Sequence, residues 1–279
     1  MNPPLPGPHP ARPWRPGFLL WLSLMVHGAA LPLLLWLPAA WPWVLAALVA
    51  NHGALAASGL LPRCRVLGPN WVRLPESAAR AGAIAITIDD GPDPEVTPAV
   101  LELLDRYQAK ATFFCIGARA ERHPGLCREI VRRGHGVENH SQNHRHHFSL
   151  FGPRRMAAEV VAGQETLIRI TGQRPLFFRP TAGLRNPFLE PILARHGLTL
   201  ANWTRRGFDT RNREAADVVA RLCDGLAAGD ILLLHDGNAA RTPEGLPVIL
   251  AALPALLDAA AAAGLHSISL RSAMPNFVP

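Results

Sequence analysis

Charge is missing from one long stretch of this 279-residue chain: Gly17 to Leu61 contains no Asp, Glu, Lys or Arg. At ~1.5 Å rise per residue and ~20 residues per span, the stretch has room for two membrane-crossing helices. Pro38 and Pro42 interrupt it, flanked by Trp36, Trp41 and Trp43. Proline breaks a helix, and tryptophan favours the membrane–water interface. A hairpin with spans over 17–37 and 42–61 is therefore expected. A cleaved signal peptide fits poorly, because its apolar core runs only about 7–15 residues and ends at a small-residue site. A single span with an interfacial second segment stays open, since His27, Asn51 and His52 place polar groups in both helices.

Lysine is nearly absent too. Lys110 is the only one, so the net charge of +7 and the pI near 10.4 come from arginine. The arginines are scattered, with no basic arm and no aromatic-interleaved patch, which argues against a nucleic-acid partner. Arg12 and Arg15 precede the apolar stretch, and Arg63, Arg65, Arg73 and Arg80 follow it. Juxtamembrane arginines attract anionic headgroups and mark the cytoplasmic side. The four cysteines, Cys64, Cys115, Cys127 and Cys223, are widely spaced with no CxxC. The set does not resemble a disulfide framework or a zinc knuckle, and it mildly favours a reducing compartment. Short internal repeats are absent as well.

What is present divides the chain. Residues 1–16 are Pro/Arg-rich and read as a disordered tail; 17–61 are the two transmembrane helices, 62–82 a basic linker, and 83–275 a catalytic domain. Strand signals fall at 84–88, 111–116, 136–139, 175–178, 198–203, 230–235 and 266–270. Helical patterns lie between them at 96–108, 124–133, 154–171, 187–196, 214–227 and 245–263. Gly134, Gly197 and Gly264 sit where helix ends are expected. Repeated βα units imply a parallel sheet, and their number suggests a small barrel. Chemistry in such barrels sits at the C-terminal strand ends. Here those ends carry Asp89-Asp90, His140, Arg179, Asp209 and His235.

Adjacent carboxylates at a strand end, stopped by Gly91-Pro92, rarely serve packing, because an unpaired buried charge is expensive. His140 and His144 stand at i and i+4, stacked on one face if the segment is helical. With Asp90 they make an Asp-His-His metal site with open positions. Zinc fits it best, and cobalt, nickel or iron could also occupy it. His146 and His147 read as surface or supporting residues, and His135 as structural. Asp89 is then free to act as a general base on a metal-activated water. Arg179 would orient Asp89 and hold it ionised. His235 would be the general acid for the leaving amine, tuned by Asp209, with Asp236 as an alternative partner.

The residues Thr-Ile-Asp-Asp-Gly at 87–91, His-Ser-Gln-Asn-His at 140–144, Phe-Arg-Pro at 178–180, Asp209 after Trp203, and Leu-Leu-His at 233–235 resemble, in order, the five motifs of the polysaccharide deacetylase (NodB-homology) family, carbohydrate esterase family four. The resemblance covers about 84–270. It implies a distorted (β/α)7 barrel, here preceded by the transmembrane hairpin, that removes N-acetyl groups from amino sugars. It assigns the base to Asp89, the metal ligands to Asp90, His140 and His144, the tethering arginine to Arg179, the acid to His235 and its tuning aspartate to Asp209. The backbone N–H of Ala182 would serve the oxyanion.

Two departures matter. The family's Arg-Pro-Pro-Tyr-Gly is here Arg179-Pro180-Thr181-Ala182-Gly183, and its Asp-Trp is Asp209-Thr210. Two aromatic walls are missing, and Phe208 is the expected substitute. The reading is a membrane-anchored amidohydrolase acting on an N-acylated glycan. The alternatives are a deformylase or deacetylase of a lipid-linked sugar precursor, or an inactive glycan-binding module. The expected location is multi-pass in a bacterial inner membrane, with the barrel in the cytoplasm.

Overall fold

The computed structural model describes residues 11–274. Most of the expected 1–16 tail, and residue 275 of the expected catalytic domain, lie outside them. The described end of the tail is tied down. Arg12 donates to the Leu198 carbonyl and pairs with buried Glu190 at 2.6 Å.

Two helices come first, α1 (Phe18–Trp36) and α2 (Trp41–Leu60), joined by a 3-10 turn at Pro38–Ala40. They lie side by side and antiparallel: Asn51 donates to Ser23 Oγ at 3.0 Å, and the His27 and His52 rings meet edge-on. Both are long and apolar enough to cross a membrane. Phe18, Trp36 and Trp43 are each at least three-quarters exposed.

Next come α3 (Glu76–Arg80), β1 (Ala83–Asp89), α4 (Thr97–Arg106), β2 (Ala111–Cys115), α5 (Gly117–Arg122), α6 (Pro124–Arg132), β3 (Gly136–Asn139) and α7 (Pro153–Thr171). Then follow β4 (Phe177–Phe178), α8 (Leu189–Arg195), β5 (Thr199–Leu200), β6 (Arg205–Arg206), α9 (Ala215–Cys223), β7 (Ile231–His235), α10 (Val248–Ala262) and β8 (His266–Ser267). The expected helix ends hold. Gly134, Gly197 and Gly264 all sit at positive φ, where a residue with a Cβ is strained.

The sheet is parallel throughout, in the order β5-β4-β3-β2-β1-β7-β6, with β8 joining the start of β1. It curls as a half-barrel. The expected strand at 198–203 is only Thr199–Leu200, and the chain then crosses directly to β6, a strand the sequence pattern did not show. The segment expected as a linker fills part of the gap. Trp71 bridges Ala201, Arg73 bridges Asp230, and Leu67, Asn70 and Leu74 are buried.

Side-chain alternation decides what faces where, since successive strand residues point to opposite faces. In β1, Ile84, Ile86 and Ile88 pack outward against α4 and α10 residues such as Val100 and Leu253. Ala83 and Ala85 face inward, with Phe114, Phe177 and Leu233. In β7, Leu232 and Leu234 join the outer core and Ile231 and Leu233 the inner one. Each fully buried Ile or Leu contributes about 1.5–3 kcal/mol. The outer core therefore fixes the register, and the register aims the next inward residues, Thr87, Asp89 and His235, into the barrel. Asp89 and His235 sit side by side in the β1–β7 pairing.

Candidate active site

The same alternation brings the other strand ends inward. Phe178 packs outward, so Arg179 turns in; Asn139 is likewise followed by inward His140. Arg179 is wholly buried. Its Nη1 donates to Asp89 Oδ1 at 2.6 Å and to Thr87 Oγ1 at 2.8 Å, its Nε to the Ala201 carbonyl and its Nη2 to the Asn202 carbonyl, both at 2.9 Å. The guanidinium carbon lies 4.0 Å from the Phe114 ring centre. Small inward side chains on β1 leave room for this fork. Burial works against the guanidinium's charge and lowers its pKa, with Asp89 opposing.

Asp90, His140 and His144 each offer one ligand atom, all within 4.8 Å of one another. Both imidazole Nε2 atoms converge on Asp90 Oδ1, at 3.2 Å from His140 and 3.1 Å from His144. The histidines do not share a helix face as the i, i+4 spacing suggested. Residues 140–147 form a loop, and Ser141 and His144 adopt φ of 65° and 50° to bring the rings together. His140 Nδ1 bonds the Arg179 carbonyl at 2.7 Å, which fixes its orientation and leaves Nε2 for the cluster. Burial lowers the His144 pKa to about 4, so the ring is neutral, the ligand form. Burial works against charge on His140 as well, but Asp89 and Asp90 outweigh it and raise its pKa. At Asp90 burial is outweighed by the hydrogen bond and charge of His140, and its pKa falls far below the carboxylate range.

His235 meets Asp209 twice. Its Nδ1 lies 2.8 Å from Oδ1, and its backbone N–H donates to Oδ2 at 2.7 Å. Its Nε2 is then the ring nitrogen left for the cleft. Burial disfavours the imidazolium, yet the bond and charge of Asp209 prevail and raise the His235 pKa. Asp236, the alternative partner, points away: Thr97 Oγ1 donates to it at 2.5 Å. Burial pushes Asp236 up to about 7.

Asp89, Asp90, His140, His144 and His235 line one cleft of about 550 Å³ that also includes Ala182, Trp203, Asn238 and four arginines, Arg119, Arg122, Arg206 and Arg211, while Arg179 and Asp209 support it from behind. Ala182 holds φ of 56°, a strained conformation costing about 1–3 kcal/mol of the kind that clusters at functional sites. Phe208 does not line the cleft among the described residues. It is half exposed, with Arg206 and Arg221 against its ring. His146 lines the cleft rim, His147 packs on Phe151, and buried His135 accepts from the Ala111 N–H.

Sequence reasoning missed three supports. Thr87 shares Arg179 with Asp89. Asn238 donates to Asp90 Oδ2 at 2.8 Å, and Arg119 donates to both the Asp90 carbonyl and Asn238 Oδ1. Thr87 was findable as the inward polar residue preceding Asp89. Arg119 and Asn238 carry no local signal, because only the fold brings their loops together.

The family model for polysaccharide deacetylase matches residues 76–201. A peptidoglycan-N-acetylglucosamine deacetylase of Bacillus cereus is 37% identical over 157 residues, 56% of this chain and 73% of that protein. A chitooligosaccharide deacetylase of Azorhizobium caulinodans is 32% identical over 156 residues, 56% of this chain and 74% of that protein. Among solved structures, a family 4 carbohydrate esterase from Streptomyces lividans superposes with TM-score 0.61 at 31% identity, covering 69% of this chain and 95% of that one.

Proposed function

Because the chain belongs to the polysaccharide deacetylase family, we propose that it is a membrane-anchored, metal-dependent hydrolase that removes N-acetyl groups from N-acetylglucosamine units of a glycan. The observation that carries this reading is the convergence of the Asp90-His140-His144 cluster, Asp89 and His235 on one cleft.

Two imidazole nitrogens and one carboxylate oxygen fit a divalent ion with open positions, and zinc suits that donor set. Held there, the ion would supply Lewis acidity for the acyl carbonyl and lower the pKa of water. Asp89 takes the proton of the attacking water, held in place by the Arg179 fork. The Ala182 N–H donates to the developing oxyanion. His235 Nε2 gives its proton to the departing sugar nitrogen, while Asp209 stabilises the imidazolium through Nδ1. Acetate and a free amine result. Asp89 and His235 both face the cleft, which disfavours an inactive binding module.

The 17–61 region supports anchoring because its two apolar helices expose most of their surface instead of packing it against the barrel. Arg15, Arg63 and Arg65 flank the hairpin, so both of its ends, and the 83–275 catalytic domain, would lie in the cytoplasm. Arg73 adds little to that bias, being paired with Asp230. Incubating the full chain with a panel of N-acetyl and N-formyl glycans, and measuring released acid, tests the activity. Acetate from N-acetylglucosamine oligomers is expected; formate release alone would favour a deformylase, and no acid from any glycan would refute the reading.

A further inference from the structure

The cleft holds more positive charge than amide hydrolysis uses. Of its four arginines, Arg119 is committed to the carbonyls of Asp90 and Gly237. Arg122, Arg206 and Arg211 form no ion pair among the described residues. Some arginines elsewhere on the barrel find carboxylates, as Arg133 does with Asp105 and Glu129, Arg169 with Glu121 and Arg241 with Glu95, while others such as Arg128 and Arg154 find none among the described residues; what sets the cleft apart is three such arginines lining one cavity. The acids lining the cleft are Asp89 and Asp90, and Asp89 already belongs to Arg179. Arg206 is the best placed of the three. Its guanidinium is steadied 5.5 Å from the Trp203 ring and 5.0 Å from the Phe208 ring, and its Nε is buried without a hydrogen-bond partner. An unsatisfied buried donor is costly until something fills it.

A neutral N-acetyl sugar gives these groups nothing to neutralise. Neutral sugars are held by aromatic walls, and Trp203 is the one such wall among the described lining residues. Three guanidiniums from different elements exceed what a single carboxylate engages, whereas a phosphate offers several strongly accepting oxygens. The cleft also adjoins the hairpin. The Arg185 N–H donates to the Gly59 carbonyl near the end of α2, and Asn202 Nδ2 to the Pro62 carbonyl at 2.6 Å. Gly183, next to Ala182, lacks the Cβ that would strike Pro62 and Trp203. The cleft rim is thus pinned where α2 ends.

We infer that the cleft selects an N-acetyl amino sugar bearing a phosphate ester, bound by Arg206 together with Arg122 and Arg211. The inference rests on the deacetylase reading above and names its substrate class. The phosphate can belong to a soluble sugar phosphate or to the link between a sugar and a membrane lipid.

The test uses the full chain in lipid nanodiscs and follows acetate release from four probes: N-acetylglucosamine methyl glycoside, N-acetylmuramic acid, N-acetylglucosamine 1-phosphate and polyprenyl-phosphate-linked N-acetylglucosamine. At least one phosphate probe should exceed the neutral glycoside in kcat/KM by roughly tenfold or more, mainly through KM, and the advantage should shrink as salt rises. Arg206→Gln combined with Arg211→Gln should collapse that ratio to about twofold or less, with metal content retained. Preference for the lipid-linked probe identifies a membrane substrate, and equal preference for the soluble one a free sugar phosphate; both support the inference. Equal turnover of charged and neutral probes, or preference for the carboxylated sugar, overturns it while leaving the deacetylase reading intact. Acetate from none of the four defeats that reading instead. Should the double variant fail to fold, the salt dependence and probe ratio of the native chain still decide.

Discussion

Replacing Arg179 with Gln should damage the fold as well as the chemistry. The native guanidinium is fully buried and satisfies Asp89, Thr87 and the carbonyls of Ala201 and Asn202. Removing one partner of a buried ion pair costs about 3–5 kcal/mol, because the other charge stays buried without compensation. For a domain of about 150–250 residues, each kcal/mol lowers Tm by about 2–4 °C, so a fall of about 6–20 °C is expected. Near-UV circular dichroism of the full chain in detergent measures it. The Arg179→Gln/Asp89→Asn double variant supplies the control: with no carboxylate to strand, it should lose about 1–3 kcal/mol less than the sum of the single losses. Arg179→Lys should recover part of the charge term but not the fork. An Arg179→Gln protein within about 1 kcal/mol of the native chain, or strictly additive losses, would refute the view that Arg179 acts through Asp89.

The other predictions concern protons, the cluster and topology. The His235 pKa is raised above its ordinary value, so the proton that the proposed acid would donate is present at low pH and lost as pH rises through the raised value. Asp209→Asn removes the stabilising carboxylate and should move the alkaline limb of the kcat/KM profile to lower pH; an unmoved limb contradicts the assignment. Asn238→Ala frees Asp90 Oδ2 and should weaken metal affinity about 10–100-fold in a chelator competition assay, whereas unchanged affinity would show that Asn238 does not position the ligand. Alkaline phosphatase fused after Pro279 should be inactive and after Pro38 active; the reverse pattern would place the barrel outside the cytoplasm.

The barrel was legible because its strands are buried on both faces. Ile84 to Ile88 and Ile231 to Leu234 read as apolar runs ending in charge, and alternation carried Asp89 and His235 inward. Elements held together by long-range contacts were not legible. Strand β6 is two arginines, Arg205 anchored by buried Asp230 and Arg206 steadied by aromatic rings, with no apolar pattern to announce it. Helix α5 begins at a glycine and is largely polar, so nothing marked Arg119 as a neighbour of Asp90. The histidine spacing suggested a helix, while the fold uses a strained loop to reach the same convergence. The segment at 62–82 read as a linker because its arginines look solvated, yet Arg73 reaches Asp230 and the chain there closes part of the sheet.

One comparison tests the central claim most directly: metal content and acetate release measured together on His140→Ala, His144→Ala and Asp89→Asn. The proposed set of three protein ligands leaves none to spare, so either histidine variant should lose metal and turnover together. Asp89→Asn should keep the metal and lose turnover, since Asp89 pairs with Arg179 and is the proposed base. Full metal occupancy in a histidine variant, or metal loss in Asp89→Asn equal to theirs, would contradict the division of labour between the two adjacent aspartates.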